Sequence, residues 1–323
     1  MLRTTPWLKL FFGIKQSLLN RRRLKRVSAV ALIALSSLTF FPGLPWWLEL
    51  TTHFRPQIFI VSLAGVLLLL WQRERVLAIA LASTVTAQAL SLSFLFADTL
   101  TVAPEECDLT ILSANVHLTN QDMESLVAMI EEQKPDVFSL IEINAKWVQA
   151  LSHLKAEYPY QMTFADQGYF GILIWSRVPM DFEERDFAET GHPSILATTR
   201  TEKPLLLIAT HPMPPMRKHF VAKRDAQLHA IADYLTAKTG PAVLLGDLNT
   251  TPWSHIFKQT CKTASLRSAL HGWKPTWPTF FPPLGVPIDH VLVTQEVGIV
   301  FCKPQSGIGS DHLPLLTRLR VKH

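Results

Sequence analysis

The sequence predicts an α/β domain of two packed sheets with helices on the outside, preceded by three membrane-spanning helices. Two observations predict this architecture. Before residue 98 the chain contains three long segments without a charged side chain, and from residue 109 onwards strand-like and helix-like patterns alternate. Runs of consecutive strands between helices favour two sheets that pack against each other. With 323 residues the chain is long enough for both regions.

The three apolar segments comprise residues 27–48, 56–72 and 76–97. Their lengths approach the ~20 residues that a helix needs to cross a bilayer. Pro42 and Pro45 interrupt the end of the first segment, so its last residues are expected at the membrane interface. The alternative, buried helices of a soluble protein, does not explain three successive segments without an amphipathic stretch between them.

Charged residues around these segments predict their orientation. Eight Lys and Arg residues and no acidic residue precede the first segment, whereas Asp98 and further acidic residues follow the third. Cationic flanks stay in the cytoplasm. We therefore expect an inner-membrane protein of a Gram-negative cell with a periplasmic C-terminal domain. A signal peptide over residues 1–41 is an alternative that delivers this domain to the same side. The predicted regions are a cytoplasmic basic N terminus (1–26), a transmembrane region (27–97) and the C-terminal domain (98–323).

The net charge of +5 is distributed unevenly. Eleven Lys and Arg residues but two acidic residues precede position 98, which leaves 20 basic and 24 acidic residues in the C-terminal domain. This balance excludes an overall cationic field for a polyanion. The basic stretch "MRKHFVAKR" is an exception, and it is either a solvated helix face or a contact for phosphate. It contains Arg217, Lys218, Lys223 and Arg224.

The three cysteines are Cys107, Cys261 and Cys302. In an oxidising compartment one pair could form a disulfide, and Cys261 with Cys302 is one possible pairing. No Cys and His spacing typical of a metal site is present.

Polar residues stand at the ends of apolar runs throughout the C-terminal domain. "AVLLGDLN" closes with Asp247 and Asn249, which share a face because side chains alternate along a strand. Glu142 interrupts the apolar run "VFSLIEI", and a buried carboxylate needs a partner or a metal. Carboxylate and amide oxygens suit Mg²⁺ or Mn²⁺, which favours phosphoryl chemistry. The full set is Asn115, Glu142, His211, Asp247, Asn249, Asp289, His290, Asp311 and His312.

Seven motifs carry a resemblance to a known family. They are, in chain order, "SANVH", "DVFSLIEIN", "GILIWSR", "ATHPMPP", "GDLNTTPW", "PIDHVLV" and "SDHLPL". Together they resemble the endonuclease/exonuclease/phosphatase (DNase I-like) superfamily over about residues 105–321, and among its members the membrane-anchored bacterial proteins of the YafD-like type. The resemblance implies a four-layer α/β/β/α sandwich with the site at one edge of the two sheets.

The resemblance also implies a role for each matched residue. Metal ligands are expected at Asn115, Glu142 and Asp311. Asp247 would orient or deprotonate the attacking water, and Asn249 would hold a phosphate oxygen. His312 would contact the scissile phosphate and serve as acid or base, with Asp289 as its carboxylate partner. His211 would act as a general acid, although no carboxylate partner for it is evident in the sequence.

The expected function is metal-dependent hydrolysis of a phosphoester, with Mg²⁺ or Mn²⁺ as cofactor. A nuclease or general phosphodiesterase is the leading interpretation. The alternatives are a phospholipid or sphingolipid headgroup phosphodiesterase or phosphatase and a catalytically inactive membrane scaffold. Expected partners are the phosphoester substrate, nucleic acid or lipid headgroup, and the bilayer through residues 27–97, with no obligate protein partner. The aromatic loop at residues 272–287 would stack on a base, contact lipid, or pack beneath its own prolines.

Overall fold

The computed structural model describes residues 23–96, 107–166 and 168–321. The chain forms two compact units. The first comprises Met1–Leu44 and Phe54–Ser93, and the second comprises Pro45–His53 and Phe94–His323. Most of the predicted basic N terminus, up to residue 22, lies outside the described residues.

Helices form the first unit. They are residues 23–38 (α1), Arg55–Trp71 (α3) and Arg75–Leu92 (α4). Small and aliphatic side chains such as Ala29, Leu69 and Leu81 form its buried cluster. The buried hydroxyls of Ser36 and Ser62 hydrogen-bond to each other across two helices at 2.8 Å.

The prediction of three spanning helices is wrong for the described residues. Within residues 23–96, α4 is the one single helix long and apolar enough to cross a membrane. Helix α3 meets this test only when it is counted together with Trp46–His53 (α2) as one broken span, so the count is at most two. The first predicted segment fails because its helix ends at residue 38, before the chain turns at Pro42 and Pro45.

Two six-stranded sheets form the second unit, and each contains one parallel pair. The first sheet has the order β11-β12-β1-β2-β4-β3, with β1 and β2 parallel. Its strands are Leu109–Asn115 (β1), Val137–Ile141 (β2), Tyr160–Phe164 (β3), Ile172–Ser176 (β4), Val297–Pro304 (β11) and Leu315–Val321 (β12).

The second sheet has the order β5-β6-β7-β8-β10-β9, with β7 and β8 parallel. Its strands are Met180–Arg185 (β5), Ser194–Thr199 (β6), Leu206–Ala209 (β7), Ala242–Asp247 (β8), Arg267–Ser268 (β9) and Asp289–Val293 (β10). All six residues of β8 are buried. This explains its continuous apolar sequence, because a strand covered on both faces needs no alternation.

Apolar side chains hold the sheets and helices together. Residues of both sheets, among them Ile111, Ile174, Leu207 and Val291, form one buried cluster, so the sheets pack face to face. Helices Met123–Gln133 (α5) and Ala145–Ala150 (α6) cover the first sheet. Helices Lys218–Ala237 (α7) and His255–Thr263 (α8) cover the second. The prediction of two packed sheets with outer helices is confirmed.

The suggested disulfide is absent. Cys107, Cys261 and Cys302 are all free thiols, and the sulfur of Cys302 accepts a hydrogen bond from the Thr317 hydroxyl at 3.1 Å.

Candidate active site

The parallel pair of the first sheet places Asn115 and Glu142 together. Asn115 ends β1, and Glu142 directly follows β2, with Asn115 in register with Ile141. The Asn115 amide donates to Glu142 Oε1 at 2.8 Å, and the backbone N–H of Leu118 donates to Oε2 at 3.1 Å. Glu142 has a positive φ of 62°, an uncommon conformation for a residue with a side chain. The buried carboxylate therefore has the hydrogen-bonding partners that the sequence required.

The second sheet contributes His211, Asp247 and Asp289. His211 follows β7 after one residue, Asp247 ends β8, and Asp289 begins β10 directly opposite Asp247 in the antiparallel register. Gly246 allows this edge to close, because a Cβ on it would lie 2.1 Å from the Thr210 carbonyl oxygen. Its φ of +130° also favours glycine.

One oxygen of Asp247 lies at the centre of the site. Its Oδ2 is 3.3 Å from the Asn115 amide nitrogen, 3.7 Å from His211 Nε2 and 3.8 Å from His312 Nε2. Its Oδ1 accepts the backbone N–H of Asn249 at 2.8 Å. Residues from both sheets therefore converge on a single carboxylate that is 2% exposed.

Burial raises the pKa of Asp247 to about 8. The positive charge of His312 and the Asn249 N–H oppose this shift, and the negative charges of Asp289 and Glu142 add to it. A carboxyl group whose pKa lies near neutrality is suited to accept a proton from water.

His312 and Asp289 form a buried pair. His312 Nδ1 is 2.9 Å from Asp289 Oδ2. Burial alone would lower the pKa of His312, but the charge and hydrogen bond of Asp289, with Asp247 and Asp311, raise it to about 10. Burial also acts to raise the pKa of Asp289, but the charge and hydrogen bond of His312 lower it below its usual range. The pair is therefore an imidazolium bound to a carboxylate.

His211 has a different protonation state. Its Nδ1 lies 3.1 Å from the Tyr169 carbonyl oxygen, which can only accept, so Nδ1 carries the proton. Burial lowers the pKa of His211, and His312 lowers it further against the effect of Glu142. The ring is therefore neutral, with an unprotonated Nε2 directed to Asp247 and Glu142 at 3.7 and 4.0 Å. Its hydrogen-bond partner is a backbone carbonyl rather than a carboxylate.

Asn249 adopts a left-handed conformation with φ of 50°. Its side-chain amide donates to the Pro212 carbonyl oxygen at 3.0 Å. One hydrogen of that amide is therefore engaged, and the second is available to a phosphate oxygen.

Asp311, the third predicted metal ligand, contacts different residues from Glu142. Its Oδ1 lies 2.9 Å from His117 Nδ1, and its Oδ2 accepts the indole N–H of Trp277 at 2.8 Å. His117 in turn donates its backbone N–H to the Asn115 side-chain oxygen at 3.0 Å, which connects Asp311 to the site indirectly.

One group of described residues has the arrangement of a metal site. Asp247, Asp289 and His312 each offer a ligand atom, and these atoms lie within 4.8 Å of one another. The Asn115 amide nitrogen lies 2.8 Å from Glu142 Oε1 and 3.3 Å from Asp247 Oδ2. The buried site holds more carboxylates than imidazoles, and a divalent cation would offset that charge. The donor set therefore fits a hard cation.

Some contributors were not predicted. Ser310 accepts the backbone N–H of His312 at 3.0 Å and donates to the Asn115 carbonyl at 2.8 Å. His117 and Trp277 bind Asp311. Ser310 and His117 do lie within the "SDHLPL" and "SANVH" motifs, so the local sequence contained a signal for both.

The aromatic loop is partly exposed. Phe280 and Phe281 are 78% and 48% exposed, so simple packing does not describe them. Trp277 points instead to Asp311, and its ring centroid lies 6.3 Å from that of His312. The loop therefore borders the site on the side of His312.

Comparison of the sequence with known protein families identifies the family of this chain. The profile described as "Endonuclease/Exonuclease/phosphatase family" matches residues 112–312, which is more than half of the chain. The chain therefore belongs to this family and is an enzyme with the fold of its phosphoester hydrolases. No curated protein sequence matches the chain significantly.

Several solved structures share the fold. An endonuclease/exonuclease/phosphatase from Beutenbergia cavernae is 20% identical, with a TM-score of 0.54 over 67% of this chain and 72% of its own. D. rerio TDP2 complexed with single strand DNA product is 18% identical, with a TM-score of 0.55 over 66% and 98%. The human Nocturnin catalytic domain with bound sulfate anion is 15% identical, with a TM-score of 0.55 over 69% and 96%.

Proposed function

We propose that the protein is a membrane-anchored phosphodiesterase that depends on a divalent metal and resembles the YafD-like type. The observation that supports this most strongly is the convergence on Asp247. An amide and two imidazoles from distant parts of the chain lie within 3.8 Å of its Oδ2. Titratable groups with shifted pKa values that meet in one buried place are typical of catalytic sites, so the arrangement favours chemistry over the alternative of an inactive scaffold.

Asn115 and Glu142 are the residues we assign to Mg²⁺ or Mn²⁺, with Asp247 next to Asn115 as the base. Asp311 would hold a second ion or act through His117, which it contacts at 2.9 Å. When bound, such an ion would neutralise charge on the phosphoryl oxygens. Oxygen ligands of this kind are those that Mg²⁺ selects in proteins.

The protein's own acid and base groups account for the proton transfers. Asp247 orients water and accepts its proton. His312, held as an imidazolium by Asp289 at 2.9 Å, contacts a phosphate oxygen, stabilises its negative charge and donates a proton to the leaving oxygen. Asn249 donates its second amide hydrogen to the same group. His211, neutral with a free Nε2, is better suited to orient water or bind the metal than to donate a proton.

The apolar helices support a membrane anchor. Helix α4, or α4 with the bent pair α2 and α3, has the required length and composition. The basic residues Arg73 and Arg75 lie at the start of α4 and acidic residues follow it, which supports an inner-membrane protein with residues 98–323 in the periplasm. We propose residues 27–97 as the membrane region, with α2 on the same side of the membrane as residues 98–323, because α2 belongs to the same unit as that domain.

A phosphodiester of nucleic acid is the leading substrate. The exposed rings of Phe280 and Phe281, in the same loop as Trp277, which contacts Asp311, offer faces on which bases can stack. The same exposed rings and the acidic balance of residues 98–323 suit a lipid headgroup, which is the second candidate.

A substrate panel tests the proposal. Full-length protein in detergent is incubated with Mg²⁺ or Mn²⁺ and a generic phosphodiester, single-stranded oligonucleotides, or phospholipid vesicles. We expect hydrolysis that Asp247→Ala and His312→Ala abolish while circular dichroism shows a folded chain. Cleavage of oligonucleotides supports the nuclease, and release of a phosphorylated headgroup supports the lipid enzyme. Equal rates of hydrolysis for wild type and both variants would show that the proposed site is not the catalytic site.

A further inference from the structure

Helix α2 belongs to the catalytic unit, although more than 50 residues separate it from the first strand of that unit. Two contacts attach its C-terminal end to the segment that follows β8. The indole N–H of Trp253 donates to the Thr52 carbonyl oxygen at 2.7 Å, and His53 Nδ1 lies 3.1 Å from the Thr251 hydroxyl. All four residues are buried. The attachment is therefore specific and excludes water.

A third contact connects α2 with a buried cation. Arg224 on α7 is fully buried, and its Nη2 lies 2.6 Å from Glu49 Oε1 on α2. Its Nε donates to Asp225 at 2.8 Å, and its Nη1 donates to the Asn249 carbonyl oxygen at 3.3 Å. A buried guanidinium needs partners for its donors, because an unpaired buried charge is strongly unfavourable. Glu49 and Asp225 supply the two negative charges that face it.

Arg224 connects Glu49 with the reacting end of β8. The Asn249 carbonyl that Arg224 binds belongs to the residue whose N–H donates to Asp247 Oδ1 at 2.8 Å. Asn249 is held in a left-handed conformation, with φ of 50°, which needs support from its surroundings. A loss of the Arg224 contact would loosen this turn and the orientation of the Asp247 carboxylate.

We propose that Glu49 is a positioning residue of the hydrolase and acts through Arg224 on the Asp247–Asn249 turn. This inference rests on the proposed function for its kinetic consequence. Helix α2, which precedes two apolar helices, then contributes to catalysis through Glu49. A chain that begins at residue 98 lacks Glu49 and leaves Arg224 with Asp225 as its one carboxylate partner among the described residues.

Glu49→Gln in the full-length protein tests the inference. The substitution keeps the size of the side chain and removes its charge. We expect kcat per folded molecule to fall at least about tenfold with KM within twofold, because substrate contacts are unchanged while the orientation of Asp247 is lost. Glu49→Asp, which keeps the charge at a shorter reach, is expected to recover part of the lost kcat.

Two control variants separate positioning from stability. Trp253→Phe removes the indole hydrogen bond to α2 but leaves Glu49, Arg224 and Asn249 in place, so it should lower Tm and leave kcat within twofold. Glu74→Gln makes the same substitution in an ion pair of the other unit, where Glu74 lies 3.2 Å from Arg26. It should change neither Tm nor kcat. A fall in Tm with unchanged kcat in Glu49→Gln would show that Glu49 is structural only.

Hydrogen exchange gives a readout that does not require a substrate. Exchange in a peptide covering residues 247–253 should be at least about tenfold faster in Glu49→Gln than in wild type and unchanged in Glu74→Gln. If Glu49→Gln does not fold, Glu49→Asp is measured in its place, and we expect a smaller increase in the exchange rate of the same peptide. Unchanged exchange overturns the inference. Faster exchange with an inactive wild type refutes the proposed function but retains the coupling.

Discussion

Replacement of Asp289 by Asn tests how His312 is held in its charged form. Asp289 Oδ2 lies 2.9 Å from His312 Nδ1 in a site where the His312 side chain is 6% exposed. Asparagine preserves the shape and a hydrogen-bonding oxygen but removes the charge. Burial, which acts to lower the pKa of His312, is unchanged. We therefore expect the pKa of His312 to fall from about 10 by several units, to near or below its ordinary 6.5.

The free energy that favours the protonated form of His312 is large for a single ion pair. A rise of the pKa from 6.5 to about 10 corresponds to on the order of 5 kcal/mol in favour of the protonated ring in the folded state. Because the folded-state pKa lies above that of the unfolded chain, this stabilisation is complete below pH 6.5 and is lost as the pH rises towards 10. Asp289→Asn should remove most of that alkaline dependence.

The assay is an imidazole titration by NMR on chelator-treated protein, in which no metal competes for the ring. The His312 signal is assigned from its absence in His312→Gln. Wild type should titrate well above neutrality, and Asp289→Asn should titrate several units lower. A His312 pKa in Asp289→Asn within one unit of wild type would show that Asp289 is not the cause of the shift and would refute the reasoning.

Three further predictions concern stability and the site. Asp247→Asn should abolish hydrolysis but raise the Tm of metal-free protein at about pH 8. The pKa of the buried Asp247 carboxyl is raised, so wild-type stability is lost as the pH rises from 3.8 to about 8, and asparagine has no charge to bury. An unchanged Tm would show that burial of this charge does not destabilise the protein. Burial lowers the pKa of His290 to about 4, so the free energy of unfolding should fall by up to about 1.4 kcal/mol per pH unit as the pH drops below 6.5. His290→Gln, measured by denaturant unfolding, should lack this part of the pH dependence. Equal slopes of unfolding free energy against pH in the two proteins would contradict the prediction. Gly246→Ala should lower the free energy of unfolding by at least about 2 kcal/mol more than Gly240→Ala, since Gly240 also has a positive φ but open space around it; similar losses would rule out the close approach to Thr210.

Much of the site was predictable because it lies at strand ends. Asn249 lies beyond the end of β8 in a left-handed conformation, so the predicted alternation along that strand does not determine where its side chain lies. The apolar run of β8 did place Asp247 at the end of a buried strand, and the parallel pairing of β1 with β2 brought Asn115 next to Glu142. These are local or near-neighbour consequences of the sequence pattern. The pairing of His312 with Asp289 was available only through the resemblance, since their contact depends on the packing of two sheets.

Other features depended on contacts between residues far apart in the chain. Nothing near Glu49 or Arg224 indicates that they meet, because 175 positions separate them. The basic stretch that contains Arg224 predicted a solvated face or a phosphate contact, yet Arg224 is fully buried and Lys223 donates to the Thr190 carbonyl at 2.8 Å. The number of spans was overestimated because hydropathy does not show where a helix bends or ends.

The central claim is that the carboxylates around Asp247 hold a divalent cation needed for phosphoester hydrolysis. The most direct measurement is the rate of phosphodiester hydrolysis by full-length protein as Mg²⁺ or Mn²⁺ is added to chelator-treated enzyme, for wild type and Glu142→Gln. We predict no hydrolysis without cation, recovery on addition, and at least about a tenfold higher half-saturating concentration in Glu142→Gln. Full activity in excess chelator, or identical cation dependence in the two proteins, would contradict the claim.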